Sequence, residues 1–156
     1  MDDPANVRTF IDTNVFVYAQ DADEPVKQAV AQRLVAQLAN DRCGVVSTQV
    51  LMEYVAAARR RLGLSFADCR QAILLMCSLD VVLIRPDHVL SALDLAGMHA
   101  LSQWDALILK AASTSGCARL LTEDLHHGQT IDGVRIENPF ILTRTPHDCF
   151  GLSSGR

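Results

Sequence analysis

Five short apolar runs, separated by longer segments of helical periodicity, constrain the fold of this chain more than any other feature. They lie at residues 9–11, 44–46, 81–84, 120–122 and 134–136, each rich in leucine or β-branched residues and bounded by turn formers. Runs this short, without polar alternation, suit strands covered on both faces. The segments between them read as helices. Val26, Val30, Leu34 and Leu38 recur on one face after Pro25, a residue suited to a first helical turn. Ser47 or Thr48 can cap a second helix that runs to about Leu62 and stops at Gly63. Ser65 and Asp68 resemble a capping box for a third helix through Cys77. Asp87 is expected to cap a fourth, and Ser102-Gln-Trp-Asp105 to open a fifth that ends near Gly116.

Strands alternating with helices specify an α/β fold: a single three-layer α/β/α domain with a central, mainly parallel sheet. Asp132-Gly133 predicts a tight turn before the last strand. The chain has 156 residues, enough for one domain that buries roughly 70% of the surface its unfolded chain exposes. The domain is expected over residues 1–145, with 146–156 as a flexible tail. Right-handed crossovers place functional loops at the C-terminal ends of the strands.

Composition narrows the function classes. The longest stretches free of Asp, Glu, Lys and Arg, 43–52 and 95–104, have ten residues each, against the roughly 20 that a membrane helix needs. Met1-Asp-Asp-Pro4 lacks the basic start and apolar run of a secretory signal. Five cysteines (43, 69, 77, 117 and 149) form no Cys-x-x-Cys pair, which argues against a disulfide framework or a zinc ribbon and fits a reducing cytoplasm. His126 and His127 are adjacent and do not have metal-ligand spacing. Any metal is therefore expected to be a hard cation held by oxygen. A net charge of −4 excludes a basic, non-specific binder of nucleic acid.

Four acids are weakly explained by local structure. Asp12 interrupts what would otherwise read as a continuous apolar strand from Phe10 to Tyr18, where a buried carboxylate is costly unless it caps a turn or meets a partner. Glu53 is the only charge between Arg42 and Arg59, and the positions three and four residues away are Gln49, Val50, Ala56 and Ala57. Asp105 can serve a cap with Ser102, yet it borders Ala106-Leu-Ile-Leu109 with no salt-bridge partner at helical spacing. Asp124 follows the run 120–122 beside Glu123, as a loop acid would. Each admits an ordinary structural role, but a parallel sheet brings all four to one edge. Clustered carboxylates repel, and a divalent cation relieves this. Oxygen ligands suit Mg²⁺ or Mn²⁺, and the chemistry implied is metal-assisted phosphodiester hydrolysis.

In their settings these residues resemble a known family. Phe10-Ile-Asp-Thr-Asn-Val-Phe-Val-Tyr18, Ser47-Thr-Gln-Val-Leu-Met-Glu-Tyr54, Leu101-Ser-Gln-Trp-Asp-Ala-Leu-Ile108 and Leu120-Leu-Thr-Glu-Asp-Leu125 are similar to PIN-domain ribonucleases, in particular VapC-like toxins of bacterial toxin–antitoxin pairs. Gly128-Gln129 and Gly133-Val134 through Asn138-Pro-Phe140 match one branch of that family. The resemblance implies a Mg²⁺-dependent (or Mn²⁺-dependent) endoribonuclease with catalytic acids Asp12, Glu53, Asp105 and Asp124. Asp12, Asp105 and Asp124 would hold the metal, and Glu53 would orient or deprotonate the attacking water. Asn14 and Thr122 would support them by hydrogen bonds, with Thr13 and Ser102 as weaker candidates. It further implies an RNA substrate, a homodimer and a cognate antitoxin. Open alternatives are an RNA-processing nuclease without an antitoxin and a non-catalytic binding module. An aspartyl phosphatase ranks low, because position 14 is Asn where that chemistry needs a second acid.

Many relatives carry a further acid after the fourth, whereas Leu125-His126-His127 follows Asp124 here, which puts a second metal in doubt. Arg59, Arg60 and Arg61 are the densest basic cluster, a candidate RNA contact or a solvated helix end. Trp104 is expected to pack beside the fifth helix or, less readily, to stack on a base. With the four acids set aside, fourteen acids remain against fourteen Lys plus Arg. The chain's negative charge is then the charge of one pocket.

Overall fold

The structure is a computed structural model and describes residues 6–141. The expected tail, and the end of the expected domain beyond 141, lie outside the described residues. Six strands, β1 (Thr9–Ile11), β2 (Gly44–Ser47), β3 (Asp80–Val82), β4 (Arg119–Leu121), β5 (Thr130–Ile131) and β6 (Val134–Glu137), form one sheet in the order β3-β2-β1-β4-β6-β5. All pairings are parallel except β5 with β6. Six helices connect or flank them: α1 (Thr13–Tyr18), α2 (Pro25–Asn40), α3 (Thr48–Leu62), α4 (Phe66–Met76), α5 (Pro86–His99) and α6 (Gln103–Thr114).

The chain winds from β1 through β2 to β3, then crosses to β4 on the opposite side of β1. Right-handed connections in those two directions put α1 to α4 on one face and α5 and α6 on the other. Helices on both faces explain why neighbouring residues of one strand are both buried, as Phe10 with Ile11 and Leu120 with Leu121 are. The reversal of winding falls between β1 and β4, where a crevice opens at the C-terminal strand ends. Register sharpens this. Ile11 pairs with Leu121, so Asp12 and Thr122 leave the sheet side by side.

Several sequence expectations need correction. The apolar run after Asp12 is a helix rather than strand: Asp12 caps α1 through the Thr13 N–H at 2.6 Å. Val15, Phe16, Val17 and Tyr18 are all buried, so α1 lacks the polar face by which a helix is recognised. Val26 is exposed, and α2 buries Ala31 and Leu38 instead. The third strand ends at Val82, not 84. Arg85, not Asp87, is the N-cap of α5; its backbone N–H is taken by His88 Nδ1 at 3.1 Å, while Asp87 pairs with the Arg85 side chain. The Asp132-Gly133 turn has positive φ at both residues, 52° and 77°, as a two-residue hairpin turn requires. It joins β6 to β5, whose two residues are too few to register as an apolar run. No helix among the described residues is long and apolar enough to cross a membrane.

Candidate active site

The four sequence-predicted acids come together. Asp12, Glu53, Asp105 and Asp124 line a single cleft of about 550 Å³ at the C-terminal edge of the sheet, with Thr13, Asn14 and Ser102 beside them. Asp12 directly follows β1 and is 4% exposed. Glu53 reaches the cleft from the second turn of α3, whose start is set by the Ser47 cap on the Val50 N–H. Asp105 stands in the first turn of α6, and Asp124 follows β4 at the cleft mouth.

Neutral donors hold these carboxylates. Thr122 Oγ1 donates to Asp12 Oδ2 at 2.7 Å and accepts the Asp124 N–H at 3.1 Å, so one hydroxyl orders two acids. Asn14 Nδ2 donates to Asp124 Oδ2 at 3.0 Å and more weakly to Asp12 Oδ2 at 3.5 Å. Glu53 receives one donor per oxygen, Thr13 Oγ1 at 3.1 Å and Gln49 Nε2 at 3.0 Å. Ser102 Oγ donates to Asp105 Oδ2 at 2.8 Å while accepting the Asp105 N–H at 3.1 Å. Capping and site membership therefore coincide at Asp12 and Asp105.

No salt bridge reaches any of the four among the described residues. Burial, reinforced by the charges of Asp124 and Glu53, pushes the Asp12 carboxyl up to about 7 despite its hydrogen bonds from Thr122 and Thr13. Asp124 is also raised, chiefly by desolvation against the cleft walls, with Asp105, Glu123 and Glu53 adding to the effect and Asn14 opposing it. Glu123, next in sequence to Asp124, is engaged elsewhere: it pairs with Lys27 at 3.1 Å and accepts from the Tyr18 hydroxyl at 2.7 Å. The two neighbouring acids thus have separate roles, which their order in sequence does not reveal.

Uncompensated negative charge held by neutral donors fits a hard divalent cation. Buried Asn14 Oδ1 also lacks a hydrogen-bond partner beside the acids. Among the described residues no three acidic, histidine or cysteine side chains stand close enough together to hold a metal ion. A hydrated ion such as Mg²⁺ keeps several waters and takes one or two carboxylates directly, so it does not require such a cluster.

The arginines separate. Arg60 and Arg61 line the cleft, whereas Arg59 stacks on Phe66 at 3.6 Å and donates to Leu64 O. Arg61 is tied to buried Asp21 at 2.9 Å. His127 Nδ1 accepts the Asn138 N–H at 3.0 Å, a structural task. Trp104 is 57% exposed and lines the cleft, contrary to the expectation that it packs away. Sequence reasoning missed Gln49 as a partner of Glu53, although their spacing of four on a helix was the available signal.

Comparison with known proteins shows what this fold is similar to. The structure is similar to the VapC20 toxin of Mycobacterium tuberculosis, described as cleaving the sarcin-ricin loop, with 20% identity, a TM-score of 0.59, and coverage of 72% of this chain and 86% of that one. It is similar to a toxin–antitoxin complex from Klebsiella pneumoniae at 17% identity and a TM-score of 0.61, covering 85% and 98%. It is also similar to VapBC2 of Rickettsia felis bound to a fragment of its promoter DNA, at 16% identity and a TM-score of 0.61, covering 83% and 97%. At such identities the likeness is one of fold. No curated protein matches the sequence. The profile of the PIN domain matches residues 9–130, which include all four acids of the cleft, and the chain belongs to the PIN domain family.

Proposed function

We propose that this chain is a Mg²⁺- or Mn²⁺-dependent endoribonuclease acting as the toxin of a VapBC-type toxin–antitoxin pair. The observation that carries this reading is the convergence of four carboxylates without a cationic partner in one cleft at the sheet's switch point. The named toxins and toxin complexes among its structural relatives support it.

Asp12, Asp105 and Asp124 would hold the cation, one or two of them directly and the rest through its waters. When bound, it would activate water near neutral pH and offset charge developing on the phosphate. Glu53, gripped at both oxygens by Thr13 and Gln49, is oriented to direct the attacking water and take its proton. Thr122 and Asn14 fix Asp12 relative to Asp124. Arg60 offers an exposed positive charge on the cleft wall for the RNA backbone, while Arg61 contributes from its pairing with Asp21 and Arg59 faces away on Phe66. The partners under this reading are RNA, a cognate antitoxin and a second copy of the chain, in the cytoplasm.

Brief expression in a bacterial host, with end-mapping of cellular RNA, tests the proposal. The wild type is expected to arrest growth and leave new RNA ends, while Asp12→Asn at equal abundance does neither. RNA cleavage without arrest would favour an RNA-processing nuclease. Neither effect, with no saturable Mn²⁺ binding by calorimetry, would reduce the acids to caps.

A further inference from the structure

Trp104 is the only tryptophan in the chain, and the fold leaves it 57% exposed. It precedes Asp105 in the first turn of α6. Leu107, Ile108 and Leu109 on the same helix are buried, so α6 is anchored without it. An exposed indole forgoes the burial of one of the largest apolar surfaces a side chain has. Among the described residues no other aromatic ring lines the cleft, and no ring or cation stacks on this one.

Its backbone is fixed where its side chain is open. Gln49 Nε2 donates to Trp104 O at 3.2 Å and to Glu53 Oε1 at 3.0 Å. One amide thereby sets the indole's attachment point relative to Glu53, and the peptide bond sets it relative to Asp105. Exposed Arg60 lies on the same cleft.

We propose that Trp104 is a stacking platform for a nucleobase of single-stranded RNA next to the phosphate being cut. The inference rests on the nuclease reading and deepens it, because it assigns the substrate an unpaired base at this position. Every base has a π-face, so the platform supplies affinity and registration without selecting a sequence. A duplex, with its bases stacked on one another, cannot use it without local opening.

The sole tryptophan reports on its own role. The full-length Asp12→Asn protein is titrated with a short single-stranded RNA, following indole emission and, in parallel, the anisotropy of a dye on the RNA. Emission is expected to be quenched with the midpoint seen by anisotropy. An oligonucleotide with abasic central positions is expected to bind more weakly and to leave emission unchanged. In the otherwise wild-type protein, Trp104→Ala is expected to raise KM roughly ten- to hundredfold with kcat little changed, and Trp104→Phe to recover most of the loss. Saturable anisotropy with constant emission, or a KM indifferent to Trp104→Ala, would overturn the platform. Failure of the wild type to bind or cut any RNA would instead remove the nuclease reading, and the platform with it.

Discussion

Thr122 Oγ1 donates to Asp12 Oδ2 at 2.7 Å across the junction of β4 and β1. The bond follows from register, since Ile11 and Leu121 are paired one residue earlier. Thr122→Val keeps the shape and removes the donor, leaving a buried carboxylate less well satisfied. Cleavage and Mn²⁺ affinity are each expected to fall about 10- to 100-fold, as for other groups that orient metal ligands. Calorimetric titration with Mn²⁺ checks this, and affinity equal to wild type would contradict it.

The raised carboxyl of Asp12 makes the metal-free protein sensitive to pH. The folded state holds this proton up to about 7, while the unfolded chain releases it near 3.8. Between those values the native state binds more protons, so stability falls as pH rises. The contribution approaches about 4 kcal/mol by pH 8, at ~1.4 kcal/mol per unit. Urea unfolding in chelator is expected to show Asp12→Asn gaining on the wild type from pH 4 to pH 8. A difference that does not vary with pH would contradict the assignment.

Glu123 and Asp124 are adjacent but should respond in opposite ways. Glu123→Gln removes a half-buried ion pair with Lys27 and should cost about 1 kcal/mol, or roughly 2–4 °C in Tm, with cleavage retained. Asp124→Asn should abolish cleavage and leave Tm equal or higher, because it removes a charge that burial disfavours. Thermal melts and a cleavage assay on both proteins decide the matter; loss of activity in Glu123→Gln at full stability would reverse the roles.

Gln49→Leu frees one oxygen of Glu53 and the carbonyl of Trp104. Under the proposed function kcat should drop about tenfold, with Mn²⁺ affinity unchanged because Glu53 is placed outside the metal ligands. A weakened Mn²⁺ isotherm would instead put Glu53 among them.

Much of this was legible in the chain. Parallel strands covered on both faces must be apolar throughout, which made β1, β2 and β4 visible, and the same topology predicted that Asp12, Glu53, Asp105 and Asp124 would converge. What stayed hidden has physical causes. Short α1 is buried on most sides and its β-branched Val15 and Val17 favour a strand reading. β5 exists only through its ladder with β6, an interaction absent from local sequence. The bond from Gln49 to the Trp104 carbonyl and the pairing of Glu123 with Lys27 join residues 55 and 96 positions apart, beyond the reach of local sequence. Trp104 itself was misjudged because aromatic side chains usually pack, whereas α6 is anchored by its buried Leu107, Ile108 and Leu109.

The central claim is that the four acids form a cation-dependent catalytic site, and cleavage of a single-stranded RNA by the purified chain tests it most directly. Cleavage is expected to be absent in chelator, restored by Mg²⁺ or Mn²⁺, and lost in both Asp12→Asn and Asp105→Asn while their circular dichroism spectra match the wild type. Undiminished cleavage in chelator, or by both variants, would contradict the account.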